Sequence, residues 1–331
     1  MPPRRPLVDE GRSARGSTGV AFTRMAHGSA ERFCPVGEVD LCFQTFGEPS
    51  DPTVLLIMGL GTQMLAWHED FCELLVQRGF HVVRFDNRDC GRSTHLDQFP
   101  PPTVTELLTR HIRHPAYTLD DLAQDAAGLL DHLEIDAAHV VGASMGGMIA
   151  QTLAARSPAR VRSLVSIMSN TGSRRHGQPA PRVLPLLLRH PPADKDAYIE
   201  QMVHVFGIVG SPGYERDEAG LRALLAKSHD RGTTFSGTAR QLAAILASGN
   251  RTASLHTIRA PTLVIHGAAD RLVSPSGGRA TARAIPGAHL LLLAGMGHDL
   301  PRQLWPVIVR AIALNASRDA ERATPAAPVA T

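Results

Sequence analysis

Residues 139–147, with the sequence HVVGASMGG, constrain the fold more than any other stretch of this chain. An apolar β-branched run ends at Gly142 and a helix-forming stretch follows Gly147, so the pattern predicts a strand, a tight turn and a helix. Ser144 lies at the turn, and the glycines two residues before and after it permit close backbone approach. Such a turn lifts a serine hydroxyl above the strand end and beside a helix N-terminus, which predicts a nucleophile elbow.

Short apolar runs alternate with helical patterns along most of the chain. Apolar strands bridged by helices predict an α/β fold with a mostly parallel central sheet flanked by helices on both faces. The predicted strands are residues 39–46, 53–58, 80–86, 140–143, 161–168, 261–267 and 289–293, and the predicted helices include residues 74–78, 119–133 and 301–314.

This alternation stops between about residues 170 and 252, where helical patterns occur without a clear strand. We therefore predict a helical cap at residues 171–249, inserted between late strands of the sheet. The α/β core would then comprise residues 26–170 and 250–316. Disordered tails are expected at residues 1–25, which are rich in Arg, Pro, Gly and Ser, and at residues 317–331, which are rich in Ala and Pro.

A serine at such a turn needs a base and an acid that orients the base. In a sheet of this kind the acid follows a late strand and the base follows the last strand. Asp270 comes three residues after the glycine that ends strand 261–267, and His298 lies in a Gly-rich loop after strand 289–293. The predicted catalytic residues are therefore Ser144, Asp270 and His298.

Other residues compete for these roles less well. The chain has 16 histidines, and His266 and His289 lie on predicted strands, where a structural role is expected. Asp299 is adjacent to His298 and is badly placed to hold its ring. These positions leave Asp270 as the preferred acid.

The reaction also requires backbone donors for the developing oxyanion. We predict the N–H groups of Met145, directly after the nucleophile, and of Leu60, after strand 53–58. Met64 and Trp67 are predicted to line an apolar, partly closed pocket with part of the cap. The cap residues considered for this pocket are Val183, Leu184, Leu186, Leu187, Leu188, Met202, Val203, Val205, Phe206 and Ile208.

Charge and cysteine content exclude several kinds of protein. The formal net charge is +3, and residues 1–25 alone hold five arginines against two acidic residues, so the remainder is neutral overall. No basic face is implied, which argues against a nucleic-acid partner. The four cysteines, Cys34, Cys42, Cys72 and Cys90, show no metal-binding spacing and indicate reduced thiols in a cytoplasmic protein.

Targeting and cofactor motifs are not found in the sequence. No apolar segment follows the N-terminal arginines as in a secretory signal, and no run of 18 apolar residues predicts a membrane span. There is no His–Cys cluster, H-E-x-x-H motif or Walker-type loop, so we expect neither a metal nor an organic cofactor. The expected partner is a small-molecule ester, and the oligomeric state stays open.

Over most of residues 30–315 the chain resembles the α/β-hydrolase superfamily. Five motifs carry this resemblance in order, namely LIMGLG (56–61), DNRDCGRS (86–93), GASMGG (142–147), HGAAD (266–270) and GH (297–298). The resemblance implies that residues 86–93 shape a structural turn.

Within the superfamily, the chain looks like bacterial carboxylesterases and methylesterases of the aclacinomycin methylesterase type. Met58-Gly59 replaces the more common His-Gly before the oxyanion loop, and Trp67 follows downstream. This resemblance implies a serine hydrolase that cleaves a carboxylic ester of a small to medium hydrophobic substrate through an acyl-enzyme on Ser144. A C–C bond hydrolase, thioesterase, acyltransferase or perhydrolase can share the triad. A non-catalytic ligand receptor can keep the fold.

Overall fold

The computed structural model describes residues 28–183, residue 185 and residues 192–323. Within them, eight strands form one sheet: β1 (Arg32–Val36), β2 (Val39–Phe46), β3 (Thr53–Ile57), β4 (His81–Phe85), β5 (Ala138–Ala143), β6 (Val161–Ile167), β7 (Thr262–Gly267) and β8 (His289–Leu293). Their spatial order is β1-β2-β4-β3-β5-β6-β7-β8. The β1–β2 and β2–β4 pairs are antiparallel and all the others are parallel. The predicted α/β fold with a mostly parallel sheet is confirmed.

Helices connect these strands and cover the sheet. The described α-helices are α1 (Glu69–Val76), α2 (Val104–Thr109), α3 (Leu119–His132), α4 (Met145–Arg156), α5 (Lys195–Val209), α6 (Glu218–Asp230), α7 (Phe235–Ser248), α8 (Thr252–Leu255), α9 (Ser276–Ala284) and α10 (Trp305–Ala323). Short 3₁₀ segments occur at Met64–Ala66, Pro158–Arg160, Pro181–Val183 and Arg302–Leu304.

Side chains on the central strands point alternately to the two faces of the sheet. On β3, Leu55 and Ile57 belong to one apolar cluster, and Val54 and Leu56 belong to another. The first cluster includes residues of α3 and α4, and the second includes residues of α1 and α10. Burying each large aliphatic side chain contributes about 1.5–3 kcal/mol. Apolar packing on both faces therefore fixes the sheet and aligns the carboxyl ends of its parallel strands.

Three long helices, α5, α6 and α7, lie between β6 and β7. We call residues 171–249 the helical insertion, and its described part contains no strand. Its two ends lie side by side, because the Arg251 N–H donates to Thr171 O over 2.8 Å. A Cβ atom on Gly172 would also collide with Gly249 O. The boundaries of core and cap remain a prediction.

Some elements differ from the sequence expectations. β1, α2, α8 and α9 were not predicted. β1 is an edge strand in which only Cys34 is fully buried. Its apolar residues are interrupted by Pro35, which an edge strand tolerates.

The last helix is longer than predicted. α10 continues to Ala323, so the predicted start of the C-terminal tail at residue 317 is wrong. Asp319, in the part of α10 beyond its predicted end, accepts a hydrogen bond from Arg162 Nε over 3.0 Å. Arg318 donates to Asn315 Oδ1 over 3.1 Å. These polar contacts fasten the end of the helix, and a composition pattern does not reveal them.

Several predictions fall outside the described residues. They concern the tail at residues 1–25, residues 324–331 of the C-terminal tail, and the cap leucines Leu184, Leu186, Leu187 and Leu188. In the part of the chain that the structure does describe, no helix is both long and apolar enough to cross a bilayer.

Candidate active site

Ser144 stands at the turn between β5 and α4. Its φ of +56° and ψ of −118° are strained for a residue with a side chain. The turn is tight, since a Cβ atom on Gly142 would collide with Gly146 O and one on Gly146 would collide with Ile57 O. The two glycines thus permit a turn that presents the Ser144 hydroxyl at the positive end of α4.

Ser144, His298 and Asp270 form one chain of hydrogen bonds. Ser144 Oγ donates to His298 Nε2 over 3.0 Å, and His298 Nδ1 donates to Asp270 Oδ2 over 2.7 Å. We assign the proton to Nδ1 because its partner is a carboxylate, which leaves Nε2 as the acceptor. Asp270 follows β7 and His298 follows β8, so three segments at the carboxyl edge of the sheet supply one residue each. The structure brings together the three residues that the sequence singled out.

Asp270 is buried, and both of its carboxylate oxygens have partners. Oδ1 accepts hydrogen bonds from the N–H groups of Leu272 and Val273, each over 2.9 Å. Burial alone would raise the pKa of Asp270, but contacts with His298, His266 and the Val273 N–H outweigh it and lower the pKa to about 2. The carboxylate is therefore charged at neutral pH and favours one orientation of the His298 ring.

His266, which was expected to have only a structural role, is a second neighbour of this acid. Its ring is fully buried, and its Nε2 donates to Val273 O over 2.8 Å. The same nitrogen lies 3.5 Å from Asp270 Oδ2. His266 thereby packs the acid loop against the end of β7.

The turn after β3 lies against Ser144. A Cβ atom placed on Gly59 would be 3.0 Å from Ser144 Cβ and 3.6 Å from Ser144 Oγ. Among the described residues, the backbone N–H groups of Leu60 and Met145 have no hydrogen-bond acceptor. Both groups are thus free to donate a hydrogen bond.

Two side chains support this turn. Asn87 Nδ2 donates to Met58 O over 3.0 Å, and Gln241 Oε1 accepts from the Gly61 N–H over 2.8 Å. Gln241 is fully buried in α7, and its Nε2 donates to Arg88 O over 2.8 Å. The turn after β3 is therefore held by Asn87 and by a glutamine of the insertion.

A cavity of about 1860 Å³ opens above Ser144. Its wall includes Ser144, His298 and Leu60 on the sheet side. Apolar residues of the core and the insertion surround them, among them Met148, Met168, Val205, Phe206, Val209, Leu242 and Leu272. Arg110, Arg174 and Arg175 also line it. The insertion thus forms much of the wall opposite the serine.

Met64 and Trp67 do not line this cavity, contrary to the sequence prediction. Both side chains are fully buried in the core. Met64 packs with Cys42 and Leu65, and the Trp67 ring lies 5.4 Å from the Phe71 ring. The segment turns inward after Gln63, so these large apolar side chains fill space beneath the site.

Residues 86–93 form a turn whose carboxylates bind the insertion. Arg231, directly after α6, donates to Asp86 Oδ2 over 2.8 Å. Arg240 of α7 makes two bonds to Asp89, over 2.6 and 2.9 Å. Burial would raise the pKa of Asp89, but the Arg240 guanidinium and other donors lower it. The motif therefore anchors the insertion above the site.

Sequence reasoning missed most of these supporting residues. Gln241 and Arg240 stand inside an apolar helical run, where an unpaired polar group would be costly, and this is the signal that could have identified them. Arg231 lies at a helix end among other polar residues and carries no such signal.

Comparisons with known proteins agree with this fold. Residues 52–206 match the family model described as the alpha/beta hydrolase fold. The chain is similar to the rhodomycin D methylesterase of Streptomyces peucetius, with 30% identity over 296 residues that cover 83% of this chain and 94% of that protein.

Two further similarities extend this picture. A 2-hydroxy-6-oxononadienedioate/2-hydroxy-6-oxononatrienedioate hydrolase of Paraburkholderia xenovorans is 28% identical over 270 residues, which cover 79% of this chain and 85% of that protein. The crystal structure of the enol-lactonase from Burkholderia xenovorans LB400 matches with a TM-score of 0.68 at 24% identity, over 86% of this chain and 100% of that chain. The last match concerns the fold alone.

The resemblance predicted from the five sequence motifs is confirmed, including the likeness to bacterial methylesterases. By its sheet and by this similarity over nearly the full length of a relative, the chain belongs to the α/β-hydrolase family.

Proposed function

We propose that this α/β-hydrolase is a serine esterase that cleaves a carboxylic ester of a hydrophobic substrate. The observation that carries the proposal is the hydrogen-bonded chain from Ser144 through His298 to Asp270, at an elbow that opens into a largely apolar cavity. Similarity to rhodomycin D methylesterases supports ester hydrolysis as the reaction.

In the first half-reaction, Ser144 Oγ attacks the ester carbonyl while His298 Nε2 takes the hydroxyl proton. The charge that develops on the carbonyl oxygen is stabilised by the N–H groups of Leu60 and Met145. Asp270 stabilises the imidazolium that forms and keeps its Nδ1 proton in place. Collapse of the intermediate expels the alcohol, which takes its proton from His298, and leaves an acyl-enzyme.

In the second half-reaction, His298 accepts a proton from a water molecule that attacks the acyl carbonyl. The same two N–H groups stabilise the second oxyanion. Ser144 then leaves with the proton from His298, and the carboxylic acid is released. No metal or organic cofactor takes part in this scheme.

The cavity supports an uncharged, hydrophobic substrate. Its volume of about 1860 Å³ exceeds the range of about 300–1,000 Å³ usual for small-molecule pockets. Methyl esters of bulky aromatic acids therefore fit, as do esters of short acyl chains. We expect both to be preferred over peptides and emulsified long-chain triglycerides.

Carbon–carbon bond hydrolysis is the second candidate. It is supported by the similarity to the dienedioate hydrolase of Paraburkholderia xenovorans, and such chemistry can use the same three side chains. Its substrates would be dicarboxylates, so the arginines on the cavity wall would acquire a binding role. Turnover of a dienedioate with no turnover of any ester would favour it.

The test is a panel of esters that vary in acyl size and leaving group, with dienedioates and triglyceride emulsions included. Ser144→Ala should remove activity toward every substrate, by several orders of magnitude. Ser157→Ala, at the opposite end of α4, is the matched control and should keep wild-type activity. A Ser144→Ala variant that retains ester turnover would sink the proposed mechanism.

A further inference from the structure

The loop that holds His298 is bound on its far side by the helical insertion. We call residues 294–299 the base loop and residues 209–214 the clamp segment, which follows directly from the end of α5. On one side, the base loop meets the loop of Asp270, where the Ala269 N–H donates to Met296 O over 2.9 Å. On the other side, the base loop contacts the clamp segment.

Backbone bonds join the base loop to the clamp segment. The His298 N–H donates to Val209 O over 2.8 Å, and the Gly213 N–H donates to Gly295 O over 3.0 Å. Tyr214 adds a bond from its hydroxyl to Ala294 O over 3.0 Å. The backbone of the proposed base is therefore fastened to the insertion by its own N–H.

Ser211 contacts the residues on both sides of His298. The Gly297 N–H donates to Ser211 Oγ over 2.8 Å, and Ser211 Oγ donates in turn to Asp299 Oδ1. A single hydroxyl is thus acceptor for the residue before the base and donor for the residue after it.

The fit between the two segments is too close for adjustment. A Cβ atom on Gly297 would collide with Gly210 O, so the backbones are in direct contact at this point. A shift of Ser211 therefore moves the loop that sets the distance from His298 Nε2 to Ser144 Oγ.

We propose that Ser211 is a positioning residue, which fixes the base loop through Gly297 and Asp299 and so holds His298 at hydrogen-bonding distance from Ser144. The inference rests on the proposed function, since it assigns His298 as the base. Asp299, which competed with Asp270 for the role of the acid in the sequence, instead accepts the hydrogen bond of Ser211 and so helps to hold the base loop. The insertion would then contribute to the rate of attack as well as to the substrate pocket.

The experiment measures how fast a fluorophosphonate labels Ser144 in the full-length protein. Labelling forms the Oγ–phosphorus bond, releases fluoride and passes the hydroxyl proton to His298, so it requires the base but no ester turnover. Ser211→Ala should lower the rate constant about 10- to 100-fold, because misplacement of a catalytic group by about 1 Å costs roughly that much. The final extent of labelling should equal that of the wild type, whereas a folding defect would reduce it.

Matched variants give the control. Ser228→Ala, in α6, should label at the wild-type rate, since Ser228 accepts the bond from Gln63 Nε2 with its backbone oxygen, which alanine retains. Asp299→Ala should be slowed like Ser211→Ala, while Asp299→Asn keeps an oxygen acceptor and should be slowed less. The double variant Ser211→Ala/Asp299→Ala should be no slower than either single variant. Both side chains also line the cavity, so in ester hydrolysis the same variants should lower kcat by a larger factor than they change KM.

Wild-type labelling by folded Ser211→Ala would overturn the inference, as would equal rates for Asp299→Asn and Asp299→Ala. If Ser211→Ala does not fold, the labelling rates of Asp299→Asn and Asp299→Ala test the positioning role by themselves. A wild type that labels but hydrolyses no ester would refute the proposed function and leave the labelling comparison intact. A wild type that hydrolyses esters while Ser211→Ala labels normally would refute the positioning role alone.

Discussion

The sheet and the helical insertion are held in place by different forces. Every residue of β3, β4 and β5 is buried, whereas α6 in the insertion fully buries only Leu225. Besides Gln241 and the clamp segment, two arginines join the insertion to the core by binding Asp86 and Asp89, with side chains at most 4% exposed. Apolar packing stabilises the sheet, and paired buried charges locate the insertion above it.

This difference has a physical reason. Apolar contact is non-directional and tolerates small sliding movements, whereas a two-point bond between a guanidinium and a carboxylate permits one arrangement. Buried ion pairs add little net stability, but breaking one leaves an uncompensated charge. The insertion therefore has a defined position over Ser144.

The largest expected effect concerns the acid that follows β7 of the sheet. Asp270→Asn should lower kcat about 10⁴-fold, because the amide would favour the wrong tautomer of His298. The fold should survive, as measured by circular dichroism. Asp136→Asn, an exposed control on the loop before β5, should keep wild-type kcat. An Asp270→Asn enzyme with normal turnover would show that another acid acts.

The next largest effect is expected when the ion pair between Arg240 and Asp89, which attaches the insertion to the core, is broken. Arg240→Met should lower the free energy of unfolding by about 3–5 kcal/mol, because Asp89 would be left buried and charged without its partner. Urea unfolding monitored by tryptophan fluorescence measures this loss. A loss below about 1 kcal/mol would mean that apolar contacts, and not this pair, hold α7 in place.

An intermediate effect is expected from pH, which should lower the stability of the sheet without breaking the attachment of the insertion. His139 on β5 is buried, and burial, followed by the charge of Arg162, lowers its pKa to about 4. The unfolded chain, with a histidine pKa of about 6.5, then binds the proton first, so stability falls as the pH drops from about 6.5 to about 4. This group accounts for a loss of about 3 kcal/mol at most.

Asp89 keeps its charge in that interval because its pKa is lowered, so the Arg240 attachment persists while the sheet weakens. Urea midpoints at pH 7 and pH 5 for wild type and His139→Gln measure the contribution. The urea midpoint of His139→Gln should fall less between pH 7 and pH 5 than that of the wild type. An equal fall in both proteins would show that His139 is not the cause.

The smallest effect is expected for an exposed pair of the insertion. Lys195 Nζ lies 2.7 Å from Asp230 Oδ2, and both side chains are well exposed. Lys195→Ala should cost less than about 1 kcal/mol in urea unfolding, since solvent screens such pairs. A cost comparable to that of Arg240→Met would contradict the distinction between buried and exposed attachments.

Local patterns in the sequence were sufficient for strands β2 to β8 and for the choice of the three proposed catalytic residues. The elbow, the acid loop and the base loop each follow a strand whose apolar run is visible, so Ser144, Asp270 and His298 could be selected and were found together. Their catalytic roles stay a proposal. Trp67 shows the limit, because a large apolar residue near a site can face either the cavity or the core.

Long-range partners could not be predicted in this way. Arg240 and Asp89 are 151 positions apart, and Ser211 and Asp299 are 88 positions apart. In both pairs, the sequence around one residue does not indicate which distant residue is its partner. The end of α10 was misjudged for the same reason, since its bond to Arg162 spans 157 positions.

The side-by-side ends of the insertion, at Gly172 and Gly249, have a consequence for protein evolution and engineering. A segment whose two ends leave the sheet at one point can be exchanged without changing the register of β6 and β7. We therefore expect that replacing this segment changes the substrate and leaves the elbow intact. A chimaera joined at this point would need to retain arginines for Asp86 and Asp89 and a hydroxyl that reaches the loop of His298.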